Sequence, residues 1–321
     1  MGTTVKILGA SGYSGGEVAR LVAGHPCLDL AVAAADRRAG QTLAGAHPHL
    51  AGAGDLRLVG LEDALGAPGD VCFSCLPSGE LGDRLTRLKA EIVIDLSDEF
   101  RAGQWLYGLT EFVRDGLRGA SKVANPGCYP TAALLCLLPF ARAGTITGPV
   151  IIDAISGVSG AGRRAEDHLL LSAGAGNVTA YGTTAHRHIP EIELALSSLG
   201  GLDTTVSFTP HLAPMPRGVL VTARAGLRAS MDDGDALDIL RSLYGDEQLI
   251  EVLEGWPATK PVAGTGRAHV SARVDARNRL LIASAAIDNL GKGAAGQALQ
   301  NANVILGIEE ATGLGSYGVW P

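Results

Sequence analysis

The first strand, turn and helix of the chain follow one another without a gap. In "TVKILGASGYSGGEVARLVAGHP", residues 4–26, the apolar run Val5–Leu8 leads into a glycine-rich turn, and apolar residues at helical spacing come next. Gly9, Gly12 and Gly15 permit positive φ and let a phosphate approach the backbone at the N-terminus of the helix. The segment therefore predicts a βα unit that binds a dinucleotide at its turn, with a tight structural connection as the alternative.

Three further apolar runs continue this alternation in the first part of the chain. They cover Leu28–Ala34, Asp70–Leu76 and Ile92–Leu96, and polar or helical segments separate them. Strands that alternate with helices form parallel sheets with crossover connections. Cys72 and Cys75 lie in the second of these runs, so their CxxC spacing indicates packing rather than redox chemistry. The sequence predicts an α/β fold that begins with a doubly wound, Rossmann-type domain.

After residue 125 the pattern changes to longer apolar runs that are separated by turns rather than by helices. Runs such as "PVIIDAISGVSG", "RGVLVTARAGL" and "RLLIASAAID" favour a mixed or antiparallel sheet in a second, α+β domain. The predicted boundaries are 1–125 for the nucleotide-binding domain, 126–290 for the second domain and 291–321 for a C-terminal helical segment. In that segment one helical stripe is apolar and comprises Ala295, Leu299, Ala302 and Leu306.

Charge and hydropathy exclude several classes of protein. The net charge is −7 and no block of five or more Lys or Arg residues occurs, so no nucleic-acid partner is expected. The longest uncharged stretch, Val123–Ala141, contains three prolines, which argues against a membrane span. The chain enters its first strand without a basic or long apolar leader, and five cysteines is an odd number, so we expect reduced thiols in the cytoplasm.

The end of the second apolar run carries residues that could discriminate between the two nicotinamide dinucleotides. In "AAADRR" the carboxylate of Asp36 could accept the ribose 2′-hydroxyl of NAD, whereas Arg37 and Arg38 could bind the 2′-phosphate of NADP. The two arginines favour NADP. A solvated loop without a ligand accounts for them equally well.

Cys128 lies at the start of a predicted buried helix. In "SKVANPGCYPTAALLCLLPF", residues 121–140, it follows Asn-Pro-Gly and precedes an apolar run. A helix N-terminus carries roughly half a positive charge, which favours the thiolate, the nucleophilic form of cysteine. Pro130 suits the first helical turn, and Gly127 leaves space for a substrate. Burial of Ala132–Leu138 would hold the sulfur rigidly, with Cys136 as a core residue. The pattern indicates a catalytic nucleophile, against the commoner role of cysteine in packing.

Two histidines precede another predicted helix and could carry a proton for this nucleophile. "TAHRHIPEIELALSSLGG" contains His186 and His188, and Ile189 precedes a proline, which favours an extended backbone there. In an extended segment residues two apart point to the same side, so both imidazoles would face one cleft. A metal site is less favoured because no third ligand lies at a useful spacing. The other pair, His47 and His49, is interpreted as loop structure.

Five motifs follow one another along the chain. They are the glycine turn Gly9–Gly16, "NPGCYPTAALL", "SGVSGAGR", "HRHIPEI" and "DNLGKGAAGQALQNANV". In these motifs and their order the chain resembles the N-acetyl-γ-glutamyl-phosphate reductase family over nearly its whole length, most specifically in the cysteine and His-Arg-His motifs. The resemblance implies an NADP-binding Rossmann domain joined to a substrate and dimerisation domain like that of glyceraldehyde-3-phosphate and aspartate-semialdehyde dehydrogenases. It also implies a homodimer or homotetramer, and a last helix that returns to the nucleotide domain.

The resemblance further implies roles for individual residues. Cys128 is similar to the acyl-accepting nucleophile, and His188, with His186 as its partner or rival, to the general acid/base. The cofactor-binding residues that the resemblance and the glycine turn predict are Gly9, Ser11, Gly12, Tyr13, Ser14, Gly15, Arg37, Arg38, Pro77, Ser78, Ser159, Gly160 and Asn289. The predicted substrate-binding residues are Ser97, Arg101, Asn125, Ser156, Arg163 and His186. No metal ion is expected.

The implied reaction is the NADPH-dependent reduction of N-acetyl-γ-glutamyl phosphate to N-acetylglutamate 5-semialdehyde, with release of phosphate, in arginine biosynthesis. A cysteine thioester would divide it into two easier steps. Arg101, Arg163, Arg164 and Arg187 are candidates for holding an anionic group, and the sequence does not choose among them. The alternatives are a reductase of aspartyl phosphate or of carrier-protein-linked aminoadipyl phosphate and, outside enzymes, a dinucleotide-binding sensor.

Overall fold

Two units make up the chain in the computed structural model, which describes residues 2–163, 165–315 and 317–319. The first unit comprises Met1–Gly127 and Ala294–Leu314, and the second comprises Cys128–Gly293 and Gly315–Pro321. The boundaries predicted from the sequence are 1–125, 126–290 and a C-terminal helix at 291–321 that returns to the nucleotide domain.

Strands and helices alternate in the first half of the chain, and strands dominate the second half. In the described residues the strands are β1 (Thr3–Leu8), β2 (Leu28–Ala34), β3 (Val71–Ser74), β4 (Ile92–Asp95), β5 (Leu106–Tyr107), β6 (Lys122–Ala124), β7 (Ile146–Gly157), β8 (Thr179–Ala180), β9 (Val206–Ala213), β10 (Val219–Leu227), β11 (Ile250–Val252), β12 (Ala268–Asp275) and β13 (Leu280–Ile287). The α-helices are α1 (Tyr13–Ala23), α2 (Leu43–Ala46), α3 (Leu61–Gly66), α4 (Thr110–Leu117), α5 (Cys128–Arg142), α6 (Leu171–Gly174), α7 (Ile189–Gly200), α8 (Asp233–Tyr244) and α9 (Gly296–Leu306). Within the described residues no helix is both long and apolar enough to cross a membrane.

The first unit contains a six-stranded parallel sheet of order β2-β1-β3-β4-β6-β5. The chain runs from β1 to β2 on one side and then returns to β3 on the other side of β1, so the strand order reverses between β1 and β3. In open parallel sheets ligands bind beyond the C-terminal ends of the strands at such a reversal. The glycine turn after β1 and residues 75–82 after β3 flank this crevice. The prediction of a doubly wound α/β fold is confirmed.

The cysteines of the CxxC pair serve packing in β3 and just beyond it. Cys72 is 0% exposed, and burial raises the pKa of its thiol to about 12. Burial also raises the pKa of Cys75. The thiolate form of both sulfurs is therefore disfavoured, which argues for packing rather than redox chemistry.

The second unit contains a seven-stranded mixed sheet of order β11-β12-β13-β10-β7-β9-β8, which confirms the predicted change of architecture. The pairs β7–β9 and β11–β12 are parallel, and the other pairs are antiparallel. α5 packs against β7, β10, β12 and β13 and also contacts α7 and α8. Every residue of α5 from Tyr129 to Ala141 is buried. This helix, apolar on all sides, is therefore the centre of the second unit's core.

The last helix, α9, differs from the predicted amphipathic stripe because it is buried on its polar side as well. Asn301 donates to the Gly108 carbonyl over 2.9 Å and accepts from the Thr110 hydroxyl over 2.8 Å. Asn303 donates to the Glu310 and Thr312 carbonyls over 3.1 and 2.9 Å. Hydrogen bonds of this kind allow amide side chains to be buried at little cost. The polar residues of α9 therefore do not identify a face that is exposed to solvent.

Candidate functional site

Cys128 is the first residue of α5, at the position that the sequence analysis predicted, and its side chain is half-buried. Gly293 lies against it: a Cβ on that glycine would stand 2.8 Å from the Cys128 Cβ and 3.2 Å from its Cα. The buried helix below gives the sulfur a rigid mount. The positive end of the helix dipole favours its thiolate form.

A cavity of about 480 Å³ opens beside Cys128 within the second unit. This volume suits a small-molecule ligand. Its walls come from the start of α5, the end of β7, the segment around β8 and the turn before α7, with these lining residues: Cys128, Tyr129, Ser156, Gly157, Gly160, Ala161, His168, Thr179, Tyr181, His186, Arg187, His188 and Leu212. The structure thus gathers the predicted nucleophile and both predicted histidines around one cavity.

His186 and His188 both face this cavity, but the backbone between them is not the extended segment that the sequence predicted. α7 begins at Ile189, and His188 is its N-cap residue with φ −83° and ψ −10°. The His188 N–H donates to His186 Nδ1 over 3.2 Å, and the two ring centroids are 4.8 Å apart. The expectation was wrong because Ile189 is already the first residue of α7, with Pro190 in the same first turn, where proline's fixed φ is tolerated.

The surroundings of His186 keep its imidazole neutral. Burial and, to a smaller extent, the charge of Arg187 together lower the pKa of His186 to about 4. Because Nδ1 accepts the His188 N–H, the single proton of the neutral ring lies on Nε2. His188 itself is 5% exposed, and its ring contacts that of Tyr129 edge-on at a centroid distance of 6.0 Å.

Two tyrosines that the sequence analysis did not select also line the cavity. Tyr129 donates to the His211 carbonyl over 3.3 Å, and its oxygen lies 3.0 Å from the Tyr181 hydroxyl. Since a carbonyl only accepts, Tyr181 is the donor to Tyr129. Burial raises the pKa of both phenols, so both hydroxyls stay protonated. The position of Tyr129, next to the nucleophile in the first helical turn, could have identified it, whereas no pattern marks Tyr181.

Asn289 and Ser159, two predicted cofactor residues, are hydrogen-bonded to each other in the second unit. The Asn289 amide donates to Ser159 Oγ over 2.9 Å, and its carbonyl oxygen accepts the Gly218 N–H over 2.8 Å. Asp288, which the sequence analysis missed, fixes this loop. Its buried carboxylate accepts three backbone N–H groups, at 2.6, 2.8 and 2.9 Å from Gly264, Leu290 and Gly291. A carboxylate that caps three N–H groups holds the loop, and so the Asn289 side chain, in place.

The glycine turn of the first unit is shaped by close backbone contacts. Gly9 has φ +77°, and a Cβ there would lie 2.5 Å from the Cys75 carbonyl oxygen. A Cβ on Gly15 would lie 2.5 Å from the Gly9 oxygen. At Gly12, the N-cap of α1, no side chain caps the helix, and a Cβ would meet nothing nearer than 3.5 Å. The start of α1 is thus open beside Gly12, which fits a dinucleotide pyrophosphate.

His47 holds this turn from its buried side. The imidazole is 1% exposed, and Nε2 lies 2.7 Å from the Ala10 carbonyl oxygen. Because the carbonyl only accepts, Nε2 carries the proton. A Cβ on Gly16 would stand 2.2 Å from the ring, so the imidazole lies flat against α1. The Ala10 N–H donates to the Ala34 oxygen over 2.8 Å, and the turn is therefore fixed from two directions.

The other predicted cofactor residues of the first unit lie around the same crevice. Tyr13 is 37% exposed at the start of α1, between half-buried serines at positions 11 and 14, and Pro77 and Ser78 are exposed after β3. A short 3₁₀ turn, Asp36–Arg38, follows β2 and contains the two arginines. The Asp36 carboxylate accepts the Leu61 N–H at the start of α3 over 2.6 Å.

The predicted anion-binding residues of the first unit form a hydrogen-bonded cluster after β4. Arg101 is 7% exposed and donates to the Asn125 and Leu96 carbonyls over 2.8 Å each. Ser97 donates to the buried Asp95 carboxylate, and burial raises the pKa of Asp95. Asp95 is a further residue that the sequence analysis missed, although it ends a buried strand at the crevice.

The predicted substrate residues are divided between the two units. Ser97, Arg101 and Asn125 belong to the first unit, whereas Ser156 and His186 line the cavity of the second. Among the arginine candidates, Arg187 lines the cavity and Arg163 is exposed after the Val158–Ala161 turn. Arg164 lies outside the described residues.

Comparisons with known proteins agree with this arrangement. Residues 4–120 match the family described as the NAD binding domain of semialdehyde dehydrogenase, and residues 128–289 match its dimerisation domain. Solved structures with the same fold include aspartate semialdehyde dehydrogenase II from Vibrio cholerae, complexed with ASA (TM-score 0.77, 18% identity, 95% of this chain and 98% of that chain). Another is aspartate semialdehyde dehydrogenase with NADP from Candida albicans (TM-score 0.72, 17% identity, 95% and 98%).

The fold, the glycine turn and the cysteine cavity define a semialdehyde dehydrogenase-type protein. Curated relatives place it more narrowly. N-acetyl-γ-glutamyl-phosphate reductase from Acidothermus cellulolyticus is 43% identical, with all of both chains covered. A probable chloroplastic N-acetyl-γ-glutamyl-phosphate reductase from Arabidopsis thaliana is 41% identical over 97% of this chain and 83% of its own length. The chain belongs to the N-acetyl-γ-glutamyl-phosphate reductase family, which confirms the resemblance drawn from its motifs.

Proposed function

We propose that the chain reduces N-acetyl-γ-glutamyl phosphate to N-acetylglutamate 5-semialdehyde and phosphate, with NADPH as the hydride donor and a thioester on Cys128. The observation that carries the proposal is the cavity at the start of α5, where a half-buried cysteine meets two histidines and two tyrosine hydroxyls. Full-length relatives that bear this activity in their names, at 41% and 43% identity, support the choice of substrate.

The first step is acyl transfer to the sulfur. The Cys128 thiolate attacks the acyl carbonyl carbon, a C–S bond forms, and the bond between carbon and the phosphate oxygen breaks, so phosphate leaves with its electron pair. The N–H groups in the first turn of α5 are the donors that stabilise the negative oxygen of the tetrahedral intermediate. Because Tyr181 donates to Tyr129 and Tyr129 donates to the His211 carbonyl, these hydroxyls bind the substrate as hydrogen-bond acceptors.

The second step reduces the thioester. The nicotinamide, when bound, supplies a hydride to the carbonyl carbon. His188 gives a proton to the resulting oxygen and takes it back when the C–S bond of the thiohemiacetal breaks, which releases the semialdehyde and restores the thiolate. His186 is unsuited to this role because its pKa of about 4 keeps it neutral and its Nδ1 accepts from the His188 backbone. It acts as a positioning residue for the turn that carries His188.

An arginine in the cavity accounts for recognition of the substrate's negative charge. Of the described arginine candidates, Arg187 lines the cavity next to both histidines. Its guanidinium offers several donors in a planar fork that matches a carboxylate or a phosphate. Arg101, in the cluster after β4, is the corresponding candidate of the first unit.

NADP rather than NAD is the proposed dinucleotide. The Asp36 carboxylate, which would bind a ribose 2′-hydroxyl, instead accepts the Leu61 N–H at the start of α3. Arg37 and Arg38 occupy the turn after β2, where a 2′-phosphate is expected. In Arg37→Ala and Arg38→Ala we expect the KM for NADPH to rise about tenfold or more for a lost charged contact, while the KM for NADH changes little. Equal effects on both cofactors would contradict the assignment.

The second unit is proposed to build a homodimer or a homotetramer. It matches a domain described as a dimerisation domain, and Ile151 on its sheet is 45% exposed, which is unusual for isoleucine in a central strand. Light scattering after size-exclusion chromatography gives the assembly mass directly. A monomer at micromolar concentration would contradict the proposal.

The catalytic proposal is tested in the reverse direction, by phosphate-dependent reduction of NADP with N-acetylglutamate semialdehyde. Cys128→Ser retains the shape but replaces the thiolate by a poorly ionised hydroxyl, so we expect the turnover to disappear while NADPH still binds. Cys136→Ser, which changes a buried cysteine on the same helix, is the matched control. Undiminished activity in Cys128→Ser would refute the thioester. Aspartate semialdehyde and a carrier-linked aminoadipate semialdehyde, tested alongside, separate this substrate from the alternatives.

A further inference from the structure

The carboxylate of Glu99 is enclosed by backbone N–H groups of the loop that follows β3. One oxygen accepts the N–H groups of Gly79 and Leu81 over 3.0 and 3.2 Å, and the other accepts the Gly82 N–H over 2.9 Å. A Cβ on Gly82 would lie 2.5 Å from that second oxygen, so the carboxylate fills the space against the loop. Three charge-assisted hydrogen bonds from one side chain define the position of the loop.

The same residue is anchored at its other end to the segment after β4. The Glu99 N–H donates to Ser97 Oγ over 3.2 Å, and the Ser97 hydroxyl donates to the buried carboxylate of Asp95. Arg101, two residues farther along, is tied to the Leu96 and Asn125 carbonyls. Glu99 thus connects the loop after β3 with the cluster that contains the predicted anion-binding residues.

The order of the strands assigns this loop to one half of the dinucleotide. The arginines proposed for the 2′-phosphate follow β2, on one side of β1, whereas β3 and β4 lie on the other side. A dinucleotide whose pyrophosphate lies at the glycine turn after β1 therefore directs its nicotinamide half toward the ends of β3 and β4. Pro77 and Ser78, which are exposed, lead into the segment that Glu99 holds.

We propose that Glu99 is a positioning residue that fixes the loop 77–82 for the nicotinamide half of the cofactor and links it to the predicted anion-binding segment of residues 97–101. This inference rests on the proposed function only in taking a nicotinamide dinucleotide as the ligand. Without the carboxylate, three backbone N–H groups lose their acceptor and the loop spends part of its time in other positions. The apparent Kd of a ligand rises as the fraction of protein in the competent state falls.

The test compares binding of whole NADPH with binding of adenosine 2′,5′-bisphosphate, a fragment that lacks the nicotinamide. NADPH is titrated by its fluorescence, and the fragment is measured by calorimetry, so neither readout requires turnover. In Glu99→Gln we expect the Kd of NADPH to rise about tenfold, which corresponds to a loop that is in its binding conformation in roughly a tenth of the molecules. The Kd of the fragment should stay within about twofold of the wild-type value. A merely structural loss would weaken both ligands alike.

Two further variants keep the result interpretable. Gly82→Ala leaves the charge of residue 99 intact but expels its carboxylate, because the added methyl group would overlap Oε1, and it should reproduce the selective loss of NADPH affinity. Glu91→Gln removes an exposed charge from the same unit, outside the loop 77–82 and the segment 97–101, without touching the hydrogen bonds of Glu99, and it should bind both ligands like the wild type. Thermal unfolding of each variant shows whether it is folded.

The outcomes separate this inference from the proposed function. Unchanged NADPH affinity in both Glu99→Gln and Gly82→Ala would overturn the inference while the wild type still binds NADPH. A parallel loss of both ligands would also overturn it, in favour of a general folding role. A wild-type chain that binds neither ligand would overturn the proposed dinucleotide function itself.

Discussion

The contact between Gly293 and Cys128 gives a test of the nucleophile that leaves its sulfur in place. A Cβ at position 293 would stand 2.8 Å from the Cys128 Cβ and 3.2 Å from its Cα. Two carbons in ordinary contact are roughly 3.5–4.0 Å apart, so Gly293→Ala requires a displacement of about 1 Å. A misplacement of about 1 Å at a reacting group lowers the rate on the order of 100-fold. We therefore expect kcat/KM to fall by about two orders of magnitude.

The assay is phosphate-dependent reduction of NADP with the semialdehyde, followed at 340 nm, together with thermal unfolding and the rate of alkylation by iodoacetamide. Gly255→Ala is the matched control, since nothing lies within 4 Å of a Cβ built there. Alkylation should persist in Gly293→Ala because the thiol remains at a helix start. A variant with at least a third of the wild-type kcat/KM would refute the reasoning. It would show that the π-helical segment Gly291–Ala295 moves aside instead of the nucleophile.

Two other predictions concern the histidines. In Gly16→Ala the added methyl group would overlap the His47 ring, so we expect weaker NADPH binding and a lower Tm. His47→Gln retains a donor to the Ala10 carbonyl and His47→Leu does not, so we expect the Gln variant to bind NADPH more tightly than the Leu variant. Nearly equal Kd values for the two His47 variants would contradict this. Folding lowers the pKa of His186 to about 4, below the free value of ~6.5. Between these two pH values the unfolded chain binds a proton that the folded chain does not. The free energy of unfolding therefore falls as the pH drops from about 6.5 to about 4. His186→Asn should show a shallower fall in denaturant titrations between these pH values, and an identical slope would disprove it.

Local patterns were sufficient to predict the elements that carry the chemistry. The glycine turn and the start of α5 at Cys128 each follow from spacing and turn residues over fewer than twenty positions. The mixed second sheet follows from several apolar runs that turns, rather than helices, separate. The physical reason is that alternating strands, helix starts and buried helices each require particular residue types within a short stretch of the sequence. The histidine turn shows the limit of such signals, because a pre-proline residue has two common conformations and the tertiary context chose the helical one.

The contacts that fix the site came from groups far apart in the chain, and single-sequence patterns do not encode them. Asp288 reaches back to Gly264, His47 reaches Ala10, and Glu99 collects N–H groups from residues 79–82. Each is a polar side chain whose partner is a backbone group, so the partner's identity leaves no trace in the sequence. For the same reason the sequence does not show that the amide side chains of α9 are buried, and their polarity instead suggested a face exposed to solvent.

The thirteen consecutive buried residues of α5, Tyr129–Ala141, also govern how the second unit loses its structure. Amide hydrogens in a helix packed on every side exchange with solvent only when the surrounding unit opens as a whole. Their protection should therefore be among the highest in the protein and should vanish together with catalytic competence during denaturation. A partly unfolded form of this unit would not hold the Cys128 sulfur in its catalytic position. Loss of activity would therefore coincide with cooperative unfolding of the core.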